Sequence, residues 1–571
     1  MTFRSWMLAA GLLAVPLVGG CGRPVPPVAV TATEREPENP WGKAVSALRK
    51  DTDAGTGRRV LADLSTTGVG PGGSALPALS DAEKTSAKTT LGLTDEEVKE
   101  IAGAAFTGLD AAYLAECFYL RDVGGTLDAG KLTPAAKAAR ALAWVGRQVQ
   151  RMPMGTVVPA PATYTLRRGS GSGLDRATVF AAICQQLGLD AVFVGTPAAN
   201  NWPPANTTAG QPIPEPFWAV GVRDGTAILL FDPLRGVPVP GPTVDQPATL
   251  AQLKANPDLL KPWATDGKGA LPTADEIKAS VVFPAVPLSA VSARMATFQV
   301  GAGEELGVHA AVDVAALEKS IQACGEKLTP WASPRFSLTP LRSLRLYLPA
   351  TEGGSAPSPS PLFQDYYRPQ LPAFPPLPAG SELGLAERSG KTIGSTYLGV
   401  VLETQPREKL QRGQYLDAAR LLVRQRDEFR AFGEQARDPA RRAVVAKWLT
   451  DLNGLYQKLR VANLDSGSDA ARQLEVDIEK EWKEKVVAAL VYEAVADPIF
   501  NEATYLLALT KHEQAERAQA SGAADAKAKW REANSWWQRY LPLAAAQDKS
   551  FPGRAAHAQA LATAARDATF Q

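Results

Sequence analysis

The sequence predicts an α+β protein with a small sheet in its middle and helices at both ends. Three observations carry that prediction. Apolar residues recur at helical spacing over about 41–152 and again over 401–571. Between 160 and 245 the order is one helix, a short apolar strand, and two apolar runs flanking Asp224-Gly225, a hairpin signal. The length of 571 residues exceeds what one core usually serves, so two to four domains are expected.

Taken in order, residues 1–20 read as an export signal. Arg4 precedes the apolar run "SWMLAAGLLAVPLVGG", which is too short for a comfortable membrane span. The run ends in Val18-Gly19-Gly20-Cys21, which resembles a bacterial lipobox. That resemblance implies cleavage before Cys21, a lipid on its thiol, and an exported protein anchored in the bacterial cell envelope. Residues 21–40 ("GRPVPPVAV" and beyond) then read as a stiff, proline-rich tether.

Residues 41–152 read as a helical N-terminal region. Thr94 before two acids marks a helix start. Thr133 followed by Pro134 marks another, with the stripe Ala138, Leu142, Val145, Val149. Residues 153–245 form the expected α+β core, to which helices from about 105 contribute. Within it a helix near 175–187 leads into the strand "DAVFVG" and the hairpin "FWAVGVRDGTAILLFDP", whose runs alternate. Residues 246–350 read as a mixed α/β extension. Residues 351–400 read as a proline-rich linker or an arm packed by Tyr366, Tyr367 and Phe374. The helical C-terminal domain, 401–571, places Tyr415, Ala418, Ala419 and Leu422 on one face. Such small residues suit closely packed helical hairpins, somewhat like tetratricopeptide packing, although no second copy recurs near 34 residues. The pair Trp536-Trp537 reads as core.

Charge excludes one class of partner. Sixty-one basic and 59 acidic residues leave a net +2, which gives no concentrated basic surface for nucleic acid. Beyond Cys21 there are three cysteines, an odd number and no disulfide framework. Cys117, Cys184 and Cys324 each fall on an apolar helical stripe and read as buried and unreactive. No phosphate loop, zinc spacing or nucleophile elbow is present, so neither metal nor cofactor is expected.

One constellation carries chemistry. "GSGSGLDRATVFAAICQQLGLDAVFVG" runs a glycine-rich turn into a helix and then a strand. It resembles the transglutaminase-like superfamily and, more broadly, papain-type cores. That family opens its helix with G-x-C-x-D-x-A; here stands Gly171-Ser172-Gly173-Leu174-Asp175-Arg176-Ala177. The family's H-A-W strand is Pro216-Phe217-Trp218 here, and its aspartate is Asp232, followed by Pro233. The resemblance therefore implies a degenerate triad at Gly173, Pro216 and Asp232. A thiolate nucleophile needs the helix N-terminus and an imidazole. Gly173 has no side chain, Pro216 moves no proton, and Asp232 has nothing to orient. Ser172 is one residue off and lacks a base. A displaced site would need a thiol such as Cys184 facing His309, because His512 and His557 lie far along the chain.

The segments "FTGLDAAYLAECFYLRDV", "LFDPLRGVPVPGP", "KHEQAER" and "WWQRYLP" extend the likeness to large transglutaminase-like lipoproteins of planctomycete-type bacteria. That likeness implies an envelope location and supplies no activity. The expectation is a non-catalytic, lipid-anchored binding or scaffold protein with a peptide or protein partner. The alternatives are a cysteine-type amidase or transglutaminase-like enzyme with displaced groups, and a structural component assembling through its C-terminal helices.

Overall fold

Strands that are apolar on both faces need cover on both faces, and that requirement organises the molecule. The computed structural model describes residues 39–570 apart from 51, 53, 128–131, 153–160, 202–214, 244–245, 264–270, 331–405, 465–468, 482–486 and 548–552. The class is α+β, with a small antiparallel sheet among many helices. Its strands are β1 (Ala191–Gly195), β2 (Ala219–Asp224), β3 (Ala227–Asp232), β4 (Val237–Pro238) and β5 (Val281–Pro284). They lie in the order β4-β3-β2-β1-β5, every neighbour antiparallel.

The expected hairpin forms. Asp224 pairs with Ala227 across the turn, and Gly225 takes a φ of 60°, which a residue with a side chain rarely adopts. The alternation read from the sequence separates two apolar cores rather than core from solvent. Phe193, Val220, Leu229 and Phe231 face one core, while Val192, Val194, Ile228 and Leu230 face the other.

Helices supply both covers. α1 (Pro40–Lys50) and α2 (Ala54–Thr67) close the second core with Trp41, Leu48, Leu61 and Leu64. α3 (Asp95–Ala102) starts at Thr94, which forms a reciprocal capping box with Glu97. α4 (Gly108–Leu127) spans both cores: Leu114 and Phe118 enter one, Leu120 and Val123 the other. α5 (Pro134–Gln148) begins at Thr133, whose hydroxyl accepts the Ala136 N–H at 3.3 Å, and its predicted stripe is fully buried. α6 (Ala162–Arg168) leads into α7 (Gly173–Gln186), which presents Phe180 and Ile183 to the sheet.

The stretch beyond 245, unordered from sequence, completes the sheet through β5. It also contributes α8 (Ala293–Phe298) and α9 (Val314–Ala323). Arg294 on α8 reaches Asp110 on α4 with contacts of 2.6 and 3.3 Å, both side chains being fully buried. It also donates to the carbonyls of Gly103 and Glu100. The thiols divide. Cys117 and Cys184 are buried as read, whereas Cys324 sits just past the last turn of α9, half-buried, with Sγ 3.4 Å from the Ser320 carbonyl. Cys324 is the C-cap residue, one position past the end of the helix, and packs only partly buried against the core that holds Leu317 and Ile321.

At the C-terminal end come α10 (Tyr415–Ala436), α11 (Pro439–Leu464), α12 (Val487–Ala520), α13 (Ala526–Gln547) and α14 (Arg554–Ala568). All but α11 share one core around Leu422, Leu506, Trp537 and Tyr540. Only one of the paired tryptophans is core. Trp537 is buried, whereas Trp536 is half-buried between the guanidinium groups of Arg426 and Arg539, 5.1 and 4.7 Å from its ring. Charge fastens this layer to the middle of the chain. Arg147 makes two contacts with Glu513, at 2.8 and 3.1 Å, and Gln148 donates to the same carboxylate at 3.0 Å. Arg554 donates to Gln150 at 2.6 Å, and Arg167 meets Glu408 at 2.7 Å. Cys21 and the arm with Tyr366, Tyr367 and Phe374 lie outside the described residues.

Replacing one member of a buried ion pair leaves the other charge without compensation. Arg294→Ala is expected to cost about 3–5 kcal/mol in urea unfolding; a loss under about 1 kcal/mol, the range of an exposed pair, would contradict the buried pairing.

Candidate functional site

The positions singled out in the sequence, Gly173, Pro216 and Asp232, come together at the head of α7 through their neighbours. A Cβ placed on Gly173 would lie 2.4 Å from Leu234 Cδ2 and 2.9 Å from the Glu215 carboxyl. Glu215 precedes Pro216, and Leu234 lies two residues past Asp232. A side chain at this position would have to displace the ends of the Leu234 and Glu215 side chains.

Local chemistry explains why the chain takes this shape. Ser172 is the N-cap of α7. Its hydroxyl accepts the Asp175 N–H at 3.2 Å, and Asp175 accepts the Ser172 N–H at 2.8 Å. Arg168 holds Asp175 at 3.3 Å, with all three side chains buried. Asp175 therefore works as a structural cap, and the Ser172 hydroxyl is committed to it.

The helix still offers its first N–H groups to an anion. The chain itself supplies that anion. Glu215 Oε1 accepts the Gly173 N–H at 2.7 Å, and Oε2 accepts the Leu174 N–H at 2.9 Å. In a thiol enzyme these donors and this dipole would favour a thiolate or an oxyanion; here a carboxylate consumes them. Burial pushes the Glu215 carboxyl up to about 7, with the two N–H groups pulling the other way.

Asp232 is equally committed. Its Oδ1 accepts the N–H groups of Leu234 and Arg235 at 2.7 and 3.0 Å, and Oδ2 meets the Arg235 guanidinium at 2.8 Å. Burial raises its carboxyl above the ordinary value, opposed by those Arg235 and Leu234 contacts. Arg235 in turn lies 5.0 Å from the Trp263 ring. Arg176, one turn into α7, binds the loop from below. It donates to the carbonyls of Pro233 and Leu234 at 3.3 and 3.1 Å, and to Val149 at 2.8 Å. Pro216 is buried, and Phe217 beside it stacks on Phe193 with centroids 4.7 Å apart.

No thiol is hydrogen-bonded to an imidazole among the described residues. Cys117 and Cys184 are buried, and burial raises both thiols. Cys117 meets Tyr113 and Gln186, and it approaches the backbone carbonyl of His309 at 3.9 Å. His512 accepts the Trp537 indole N–H at 3.3 Å, and burial holds it well below the ordinary imidazole value. His557 is distant only in sequence. The C-terminal layer brings it to the Arg147 carbonyl at 3.3 Å, where burial and then Arg176 hold it down to about 3. Both rings are neutral structural members.

Glu215, Leu234, Arg235 and Arg176 escaped the sequence reading. Only a carboxylate beside the second landmark hinted at the first. Among the described residues no group of His, Cys, Asp or Glu could hold a metal ion. Comparison with protein-family models, with curated proteins and with solved structures returned no match.

Three outcomes follow from this geometry. Gly173→Ala is expected to destabilise by about 1–3 kcal/mol through overpacking, which outweighs a helix-propensity gain below about 1 kcal/mol; a more stable variant would show that the head of α7 is open. Asp232→Ala leaves Arg235 buried without its carboxylate and is expected to cost about 3 kcal/mol in chemical denaturation. A neutral cost would mean that Asp232 is not committed to its loop. For Glu215 the folded value of about 7 exceeds the ordinary 4.5, so its contribution to stability is full below that lower value and is lost as pH rises towards 7. Thermal melts across that window should show the wild type losing on the order of 2 kcal/mol more than Glu215→Gln. Parallel pH profiles would contradict a partly buried, upshifted carboxyl.

Proposed function

We propose that the chain is a non-catalytic, lipid-anchored envelope protein whose transglutaminase-like core serves as a scaffold or protein-binding module. The observation carrying this reading is the occupied head of α7. Glu215 and Leu234 fill the space a nucleophile would need, and Glu215 uses the donors an oxyanion would need. The helix, strand and hairpin order of α7, β1, β2 and β3 supports the family likeness. With the old cleft filled, a peptide would meet some other surface of the protein.

The anchor is tested by fractionation. Cys21→Ala is expected to move the protein from the membrane fraction to the soluble fraction, and continued retention would reject lipid anchoring. Among the described residues no helix is long and apolar enough to cross a membrane. The loss of chemistry is tested by alkylation followed by mass spectrometry. Cys117 and Cys184 should react only on unfolding; rapid native labelling of either, together with amide-cleaving activity, would restore the enzyme reading. A second reading, assembly through the C-terminal helices, draws on Val444, Tyr456 and Val461, which α11 leaves exposed. Sedimentation over rising concentration would reveal it as growth in mass.

A further inference from the structure

The seam between the C-terminal layer and the middle of the chain buries more positive charge than negative, and the reading above makes no use of it. Glu502 on α12 serves two guanidinium groups at once. Arg407 Nη2 donates to its Oε1 at 2.6 Å, and Arg554 Nη1 donates to its Oε2 at 3.3 Å. All three side chains are 3 % exposed or less. Two positive charges thus share one negative charge beyond the reach of bulk water, which is an expensive arrangement. The neighbours do not cancel the excess. Arg168 is matched by Asp175, and Arg176 rests on backbone carbonyls. Gln547, which donates to Glu502 Oε2 at 3.3 Å, is neutral. Tyr505 sets its ring 4.0 Å from the Arg554 guanidinium, a π face but not a charge.

Arg407 shows where the missing group belongs. Its Nη1 is buried and has no hydrogen-bond partner among the described residues. A charged donor left in that state is costly, and a bound ion or water is the usual remedy. Gly169 lets the guanidinium lie where it does. The glycine has a φ of 68°, and a Cβ on it would come 2.6 Å from Arg407 Cζ. The Gly169 carbonyl accepts the Gln150 N–H at 2.9 Å, and the Gln150 side chain accepts from Arg554 Nε. On the far side of Gln150 stands Gly553, whose Cβ, if it had one, would be 3.9 Å from the Gln150 amide nitrogen. Gly553 is the N-cap of α14 and brings no side-chain acceptor to it. An orphaned guanidinium nitrogen, an excess of positive charge and a helix start without a side-chain cap therefore lie together around Gln150.

We propose that this seam holds one small monovalent inorganic anion, of the chloride type, on Arg407 Nη1. Charge sets the valence: one negative charge balances the excess, whereas a dianion would reverse it beside Glu502. Burial sets the size, because side chains this enclosed admit an ion little larger than a water and exclude an organic acid. A water would satisfy the N–H yet leave the charge, and the test separates the two. Because Arg407, Glu502 and Arg554 join the C-terminal layer to Gly169 and Gln150, the anion tightens that joint.

The test is thermal unfolding of the full chain at a fixed ionic strength of about 0.15 M, with sodium chloride exchanged stepwise for sodium gluconate. Gluconate carries the same charge and is too large to enter. The expected result is a melting temperature about 2–4 °C higher in chloride, because an ion that binds only the folded state stabilises it by mass action. Bromide should act as chloride does. Arg407→Gln keeps a donor for Glu502 and removes the excess charge, so the difference between the two salts should vanish in it. Anomalous diffraction from crystals of the wild type soaked in bromide reads the site directly and does not depend on the variant folding; a peak within hydrogen-bond reach of Arg407 Nη1 is expected. The proposal is overturned by equal melting in chloride and gluconate, by an undiminished chloride effect in folded Arg407→Gln, or by bromide crystals with no peak at Arg407.

Discussion

A helix whose first N–H groups are buried must find acceptors for them, and the head of α7 meets this demand with the chain's own Glu215. The carboxylate spans the Gly173 and Leu174 N–H groups, and the absence of a Cβ at Gly173 lets it approach with Leu234 alongside. That contact ties the segment entering β2 to the central helix. It also carries a cost, because taking a carboxylate out of water opposes its charge and raises its pKa. The same physics that could activate a nucleophile here holds a joint together.

The joint is one of several in which charge replaces apolar contact. Arg176 links α7 to the loop after β3 and to the end of α5, and Asp232 closes that loop on Arg235. Arg294 with Asp110 and Arg147 with Glu513 fasten the extension and the C-terminal layer in the same way. Buried pairs of this kind add little net stability over apolar packing, yet they penalise every arrangement that separates them. They suit a chain whose apolar cores are several and whose segments must settle in one relation to each other.

Local signals were legible in the sequence where their causes are local. Thr94, Thr133 and Pro134 mark helix starts because caps are set by neighbouring residues. Asp224-Gly225 marks the hairpin because the turn demands a positive φ. The class followed from these. What stayed hidden depended on distant partners. The pairing of β5 with β1 crosses almost ninety residues, and the C-terminal histidine His557 reaches Arg147 only through the folded layer. Cys324 keeps its side of the stripe but is only half-buried, because it stands at the C-cap where the helix ends. At the candidate site the positions Gly173, Pro216 and Asp232 could be read as vacant of chemistry, but not as filled. Glu215 fills the head of α7 from 42 residues away in sequence, and nothing in its local pattern says so.

The occupied helix head is therefore the central claim, and the carboxyl of Glu215 reports on it directly. Carbon-detected NMR of the protein labelled at its glutamate side chains, titrated from acid to mildly basic pH and assigned with Glu215→Gln, would follow that carboxyl alone. A single glutamate titrating at about 7 and vanishing in the variant is the predicted result. Titration of Glu215 at an ordinary carboxyl value would mean that the side chain is hydrated, that the head of α7 is open, and that the joint described here does not form.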